Sequence, residues 1–284
     1  MNIHKEFEMQ TPHKKLKLGQ DPVLMGILNI TPDSFSDGGN FEQIETAFEH
    51  ARFLVKNGAD IIDVGGESTR PKAKETAMQV ELNRVIPVIE KIKQAELNTL
   101  ISIDSYKALV ADQAIQSGAD IINDVSGLQR EPEIADIAAL HNVPVIIMHW
   151  DKQRDSDKDI IAEIMRFFEK SLLIAKNAGI NDNQIVLDPG FGFAKSLIDN
   201  YEIMRRFDEL HALGYPFVCG TSNKSMIGNL LNIPIDERLS GTIASNIMAY
   251  NKGAHIFRVH DVKENLQALK VAKASLYQPY NRSE

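Results

Sequence analysis

Three times along the chain a glycine is followed by a small residue, a polar residue and a short apolar run. The copies read Gly58-Ala59-Asp60-Ile61-Ile62-Asp63-Val64, Gly118-Ala119-Asp120-Ile121-Ile122-Asn123-Asp124-Val125 and, more loosely, Gly253-Ala254-His255-Ile256-Phe257-Arg258-Val259. Glycine closes a helix in the left-handed conformation at little steric cost, and a short apolar run bounded in this way reads as a buried strand. Each copy is therefore a helix handing over to a strand that carries a polar side chain to its far end. A chain built on repeats of this unit must form a parallel sheet covered by helices.

The rest of the chain extends the pattern. Apolar runs at 23–30, 61–64, 100–105, 121–125, 144–149, 185–190, 215–220 and 255–259 predict strands. Helical spacing predicts helices over 42–57, over 76–95 with Pro87 inside, from after strand three to 117, over 160–177 and after the last strand. Eight strands alternating with helices point to a single (β/α)8 TIM barrel, with its active site at the C-terminal ends of the strands. An open doubly wound sheet is the second choice, but no strand-linked Gly-x-Gly-x-x-Gly motif supports it. The 284 residues suit one barrel domain over 21–284, preceded by a polar N-terminal arm over 1–20.

Composition matters here for what it excludes. A formal charge of −8 gives no general attraction to nucleic acid or to an anionic membrane. No stretch approaches the roughly 20 apolar residues of a membrane span. A single cysteine, Cys219, rules out an internal disulfide, and the polar N-terminal segment has no apolar run resembling a signal peptide. The expectation is a cytoplasmic protein.

The strand ends carry the chemistry: Asn29, Asp63, Asp104, Asn123, His149, Asp188, Lys224, Arg258 and His260. Asp104, Asn123 and Asp188 supply acceptors for a nitrogen-rich ring edge such as a pterin or a purine, because a carboxylate accepts two parallel hydrogen bonds. Taken singly, each reads equally well as a helix cap. Lys224, Arg258 and His260 are the positive counterpart, suited with Asn29 to a di- or triphosphate, and Asn29 can also offer a metal its carbonyl oxygen. For Arg258 alone, a salt bridge to an acid such as Asp188 is the plain alternative. Residues 221–225 lead into a short apolar stretch whose helical turn would accept one carboxylate. Loops 31–39 and 65–71 are long enough to close over the mouth, with Phe35 for stacking and Thr69 and Arg70 for polar contact.

These segments resemble a known family. Met25-Gly26-Ile27-Leu28-Asn29-Ile30-Thr31-Pro32-Asp33-Ser34-Phe35-Ser36-Asp37-Gly38-Gly39 and Gly66-Glu67-Ser68-Thr69-Arg70-Pro71 are similar to the two signature segments of dihydropteroate synthases. Asp188-Pro189-Gly190-Phe191-Gly192-Phe193, the Ser-x-Lys-Ser segment ending at Ser225, and Arg258-Val259-His260-Asp261 continue the match in order. The resemblance implies a transferase of folate synthesis that joins p-aminobenzoate to 6-hydroxymethyl-7,8-dihydropterin diphosphate. It implies pterin contacts from Asp104, Asn123, Met148, Asp188, Phe193 and Lys224, and diphosphate contacts from Asn29, Arg258 and His260, with Mg2+. Phe35, Thr69, Arg70, Pro71 and Ser225 would shape the p-aminobenzoate side, and Asp104, Asp188, Lys224 and Arg258 the catalytic set. A homodimer is the family's usual state. The chain departs from the family at Asn223, where arginine is usual, at Lys72 and Ala194, where glycine is frequent, and at Trp150. A pterin-binding methyltransferase-type barrel and a catalytically weak pterin-binding paralogue are the alternatives.

Overall fold

The computed structural model describes residues 5–30, 40–68 and 75–277, without the side chains of 40 and 41. A two-stranded antiparallel hairpin comes first, β1 (Phe7–Gln10) and β2 (Lys15–Leu18). Eight parallel strands follow: β3 (Val23–Asn29), β4 (Ile61–Gly65), β5 (Leu100–Asp104), β6 (Ile121–Asp124), β7 (Val145–Met148), β8 (Ile185–Asp188), β9 (Val218–Cys219) and β10 (Ile256–Val259). They lie in the order β8-β7-β6-β5-β4-β3-β10-β9. A parallel bridge between Leu187 and Phe217 joins β8 to the segment before β9, which closes the ring into the barrel that the alternation predicts.

Strand seven is shorter than its sequence suggests. Only Val218 and Cys219 pair regularly, because Pro216 has no N–H to give and contributes only its carbonyl, to Leu187 N at 2.9 Å. The helices are α1 (Asn40–Lys56), α2 (Met78–Gln94), α3 (Ala108–Gln116), α4 (Glu133–His141), α5 (Ile160–Ala178), α6 (Leu197–Arg205), α7 (Ser225–Leu231), α8 (Leu239–Asn251) and α9 (Val262–Tyr277). Pro87 sits inside α2, whose face of Leu82, Val85, Val88, Ile89 and Ile92 is buried. Helices α4, α6 and α8 have no counterpart in the sequence reading.

The repeated phrase acquires a common geometry. Gly58, Gly118 and Gly253 all have positive φ, at 101°, 115° and 89°, as a helix stop followed at once by a strand requires. The polar third residue then ties each new strand to its neighbour. Asp60 Oδ2 accepts from Leu24 N at 2.9 Å, Asp120 Oδ2 from Ile101 N at 2.9 Å, and His255 Nδ1 from Phe217 N at 3.3 Å. These side chains satisfy backbone donors at the strand starts, so their role is scaffolding.

Along each strand, alternate residues point into the barrel. The first full interior layer is apolar on all eight strands: Met25, Ile61, Leu100, Ile121, Ile146, Val186, Val218 and Ile256 form one buried cluster. The hairpin closes the barrel beneath it. Met9 and Leu18 are 1% exposed and belong to the same cluster, with Phe7 and Leu16 packed against it, so the polar arm delivers an apolar plug. His255 helps seat the plug through Nε2, which lies 3.2 Å from Lys5 O, and through an edge contact with the Phe7 ring.

Candidate active site

Two residues further along the same strands the interior turns polar. The position after Ile61 is Asp63, after Leu100 Ser102, after Ile121 Asn123, after Val186 Asp188 and after Ile256 Arg258. Ile27 on β3, Met148 on β7 and Gly220 after β9 complete this level, and Asn29, Gly65 and Asp104 stand one level nearer the mouth. The sequence-predicted strand-end residues thus come from different strands to one end of one barrel.

Arg258 is at the centre. Its Nε donates to Asp63 Oδ2 and its Nη2 to Asp104 Oδ2, both at 2.6 Å, and Asn123 Nδ2 donates to the same Asp63 oxygen at 3.1 Å. The acids that pair with Arg258 are therefore Asp63 and Asp104; no hydrogen bond joins it to Asp188. Two glycines mark how close the groups lie. A β-carbon on Gly65 would be 3.5 Å from Asn29 Oδ1 and 3.6 Å from Asp104 Oδ2. One on Gly220 would be 3.5 Å from Asp188 Oδ2, 3.8 Å from Lys224 Nζ and 4.0 Å from Arg258 Cβ.

Burial sets the electrostatics. The Asp104 side chain is 9% exposed, and loss of water pushes its carboxyl up to about 7; Arg258 opposes this rise and the Asp63 charge adds to it. Burial likewise raises Asp188, against Lys224 and the Gly190 N–H that Asp188 Oδ1 accepts at 2.7 Å. Lys224 is lowered to about 8, chiefly by desolvation, with Asp188 working the other way. Burial also disfavours the charge on Arg258, but Asp63 and Asp104 outweigh it and hold the guanidinium firmly protonated. The result is a ring of carboxylate and amide acceptors beside an ammonium and a guanidinium, above an apolar floor.

One wall is aromatic. Met148 packs with Tyr106 and Val125, and Trp150 and Phe193 lie against them. Lys224 Nζ sits 4.6 Å from the Phe193 ring centroid and donates to Phe191 O. Trp150, one of the departures, meets Phe193 edge-on at 5.3 Å. His260 is exposed at the rim, its Nδ1 2.9 Å from Ser222 Oγ. Ser225 begins α7 and is exposed. Phe35, Thr69, Arg70, Pro71 and Lys72 lie outside the described residues.

The sequence reading named His149 at a strand end without a partner. Lys195 Nζ is 2.9 Å from His149 Nδ1 and donates to Gly190 O at 2.8 Å and Phe193 O at 3.0 Å, pinning the loop that carries Phe193 to the end of β7. Burial lowers Lys195 to about 7 and His149 to about 2, so the imidazole is neutral and its Nδ1 accepts. His149 is fully buried against Phe167 and is part of the packing. Asp63 was visible as a strand-end acid, but nothing local in the sequence reveals its donors, which come from β6 and β10.

A family model described as pterin binding enzyme matches residues 25–260. The dihydropteroate synthase of Clostridium beijerinckii is 45% identical over 264 residues, 93% of this chain and 97% of that protein. Among solved structures, the Clostridium difficile dihydropteroate synthase crystallised in the presence of pteroic acid superposes with a TM-score of 0.88 at 46% identity, covering 92% of this chain and 99% of that one. The Xanthomonas albilineans dihydropteroate synthase with 4-aminobenzoic acid gives 0.91 at 38%, covering 97% and 100%. With the barrel, the polar layer and these likenesses in agreement, the chain belongs to the dihydropteroate synthase family of pterin-binding enzymes.

Proposed function

We propose that the polar layer takes up 6-hydroxymethyl-7,8-dihydropterin diphosphate and that the chain transfers its pterin methylene group to p-aminobenzoate, releasing 7,8-dihydropteroate and diphosphate. One observation carries the reading: three acceptors, Asp104, Asn123 and Asp188, converge with Lys224 and Arg258 above a sealed apolar floor. A pterin offers a 2-amino group and ring N–H groups on one edge, which two carboxylates and an amide oxygen match. Met148 and Phe193 supply the wall for its faces. Asn29, Arg258 and His260, nearer the mouth, take the diphosphate. Phe35, Thr69, Arg70, Pro71 and Ser225 form the p-aminobenzoate side.

In the reaction the bond between the methylene carbon and the diphosphate oxygen breaks, and the electron pair leaves with diphosphate. The buried carboxylates Asp104 and Asp188 stabilise the positive charge that spreads over the pterin, in a site where water does not screen them. Arg258 meets the charge growing on the leaving oxygen. The arylamine nitrogen then attacks the methylene carbon and loses its proton. A neutral arylamine needs no strong base, which suits a site without a nucleophile.

Among the described residues no three His, Cys, Asp or Glu side chains group to hold a metal. This donor set fits a magnesium ion that keeps its waters and binds mainly through substrate phosphates, with Asn29 as the protein oxygen. Bound there, Mg2+ would neutralise charge on the departing diphosphate. The purified protein is expected to form dihydropteroate from both substrates with Mg2+ and to stop when it is chelated. Tight pterin binding without product at saturating p-aminobenzoate overturns the enzymatic reading.

We propose a homodimer, in which a second copy would cover exposed apolar side chains such as Leu230 and Leu231 on α7, Ile235 beyond it and Met248 on α8, each about half exposed. Light scattering of the purified chain tests it. The lone, buried Cys219 and the lack, among the described residues, of any helix long and apolar enough to cross a membrane are consistent with a cytoplasmic enzyme.

A further inference from the structure

Asp63 is fully buried in the barrel interior, one layer above Ile61 and one below Gly65. A single oxygen, Oδ2, accepts from Asn123 on β6 and from Arg258 on β10, while Oδ1 has no partner among the described residues. An ionised carboxylate only accepts, so the end of the Asn123 amide facing it must be the NH2 group. The other end, Oδ1, is then an acceptor. The same oxygen fixes Nε of Arg258 and so orients the plane in which Nη2 reaches Asp104.

We propose that Asp63 is a positioning residue for this reaction: it holds Asn123 with its carbonyl toward the pterin edge and aims Arg258, and so sets the hydrogen-bonding polarity of the pocket. This rests on the pterin reading above. Without Asp63 the Asn123 amide is free to flip and present a donor to the donor edge of the ring, and Arg258 keeps only Asp104 as partner. Asp63 thus selects for a ligand edge that donates, although it need not touch the ligand.

The test is Asp63→Asn, which preserves shape, removes the charge and puts an amide that can donate as well as accept where only acceptance was possible. The expected result is a rise of about tenfold or more in KM for the pterin diphosphate, the scale of a hydrogen bond to a charged group, with KM for p-aminobenzoate little changed. A second readout separates positioning from general damage. Charges facing Asp104 come from Arg258 on β10, Asp63 on β4, Glu81 on α2 and Asp124 on β6, and of these Arg258 lowers its carboxyl while the other three raise it. Removing the Asp63 charge therefore moves the acid limb of kcat/KM for the pterin substrate to lower pH. Unchanged pterin KM, an equal rise in both KM values, or a limb that stays in place overturns the proposal. If wild-type protein turns over no pterin substrate, it is the functional reading that fails. Should the variant not fold, the wild-type chain answers alone: the Asn123 side-chain amide protons, bonded to a buried carboxylate, are expected to exchange slowly by NMR, and exchange at free-amide rates overturns the proposal.

Discussion

The lower and upper halves of the barrel interior are made by the same strands, two residues apart, and they do opposite work. In the lower layer all eight strands contribute apolar side chains that pack on one another and on the hairpin, with no polar group to satisfy. In the upper layer Asp63, Asn123, Asp188 and Arg258 replace them; the two acids and the amide are buried, and the Arg258 side chain keeps only a fifth of its surface exposed. Burying charges costs stability unless they are paired, and even paired they rarely outperform an apolar core. The floor therefore stabilises the fold that the upper layer strains. That division also explains why the ligand site is at one end: the hairpin seals the other.

The sharpest way to break the comparison is to alter β10 in each layer. Arg258→Ala removes the cation shared by two buried acids, which should cost about 3–5 kcal/mol of folding stability. It also removes the positive group proposed to meet the leaving diphosphate, so kcat/KM should fall by a factor of roughly a hundred to a thousand. Binding of the pterin diphosphate should suffer far more than binding of the bare pterin; equal losses in a titration calorimeter would remove the phosphate role from Arg258. Two residues earlier, Ile256→Ala opens a cavity in the floor and should cost about 2–4 kcal/mol in denaturant unfolding. Its KM values should stay near wild type. A floor variant that loses pterin affinity while remaining folded would show that the layers are not separable.

A smaller effect sharpens the contrast through pH. Asp104 is raised to about 7, so the folded chain holds its proton more tightly than the unfolded chain does. Its contribution to stability is full below the ordinary carboxylate range and is lost as pH rises from there toward 7. The melting temperature should accordingly fall across that window, and Asp104→Asn should flatten the fall by about 1–3 kcal/mol of pH-dependent stability. Ile256→Ala should leave the slope as it is, since the floor has nothing to titrate.

The two layers were unequally legible. The floor follows from periodicity: once Gly58, Gly118 and Gly253 are read as helix stops, alternate residues of each run must face inward. The upper layer was legible as a list of strand-end residues but not as pairings, because Arg258 meets Asp63 and Asp104 across the barrel, from strands far away in sequence. Motif resemblance named most of the candidate site and passed over Asp63, which lies between two signature segments. The hairpin was hidden for a different reason. Its four apolar residues alternate with charged and polar ones on very short strands, so the segment averages out as polar.

The smallest expected effect tests the departures from the family pattern. Ala194 and Asn223 both stand at left-handed backbone positions, with φ of 47° and 57°. Asparagine tolerates that region, and Asn223 is anchored there, its N–H donating to Thr242 Oγ1 at 3.1 Å and its carbonyl accepting from Arg238 Nη1 at 2.9 Å. Alanine has no such compensation, and its β-carbon strains the turn between Phe193 and Lys195. Ala194→Gly should relieve about 1 kcal/mol of strain in the folded state, offset in part by the greater freedom of glycine in the unfolded chain. A net gain of a few tenths of a kcal/mol in chemical denaturation is expected, with KM for the pterin substrate held by the Lys195 anchor on Gly190 and Phe193. If the variant is instead less stable and its pterin KM rises, then the stiffness of alanine, and not the lysine anchor, is what keeps the Phe193 wall in place.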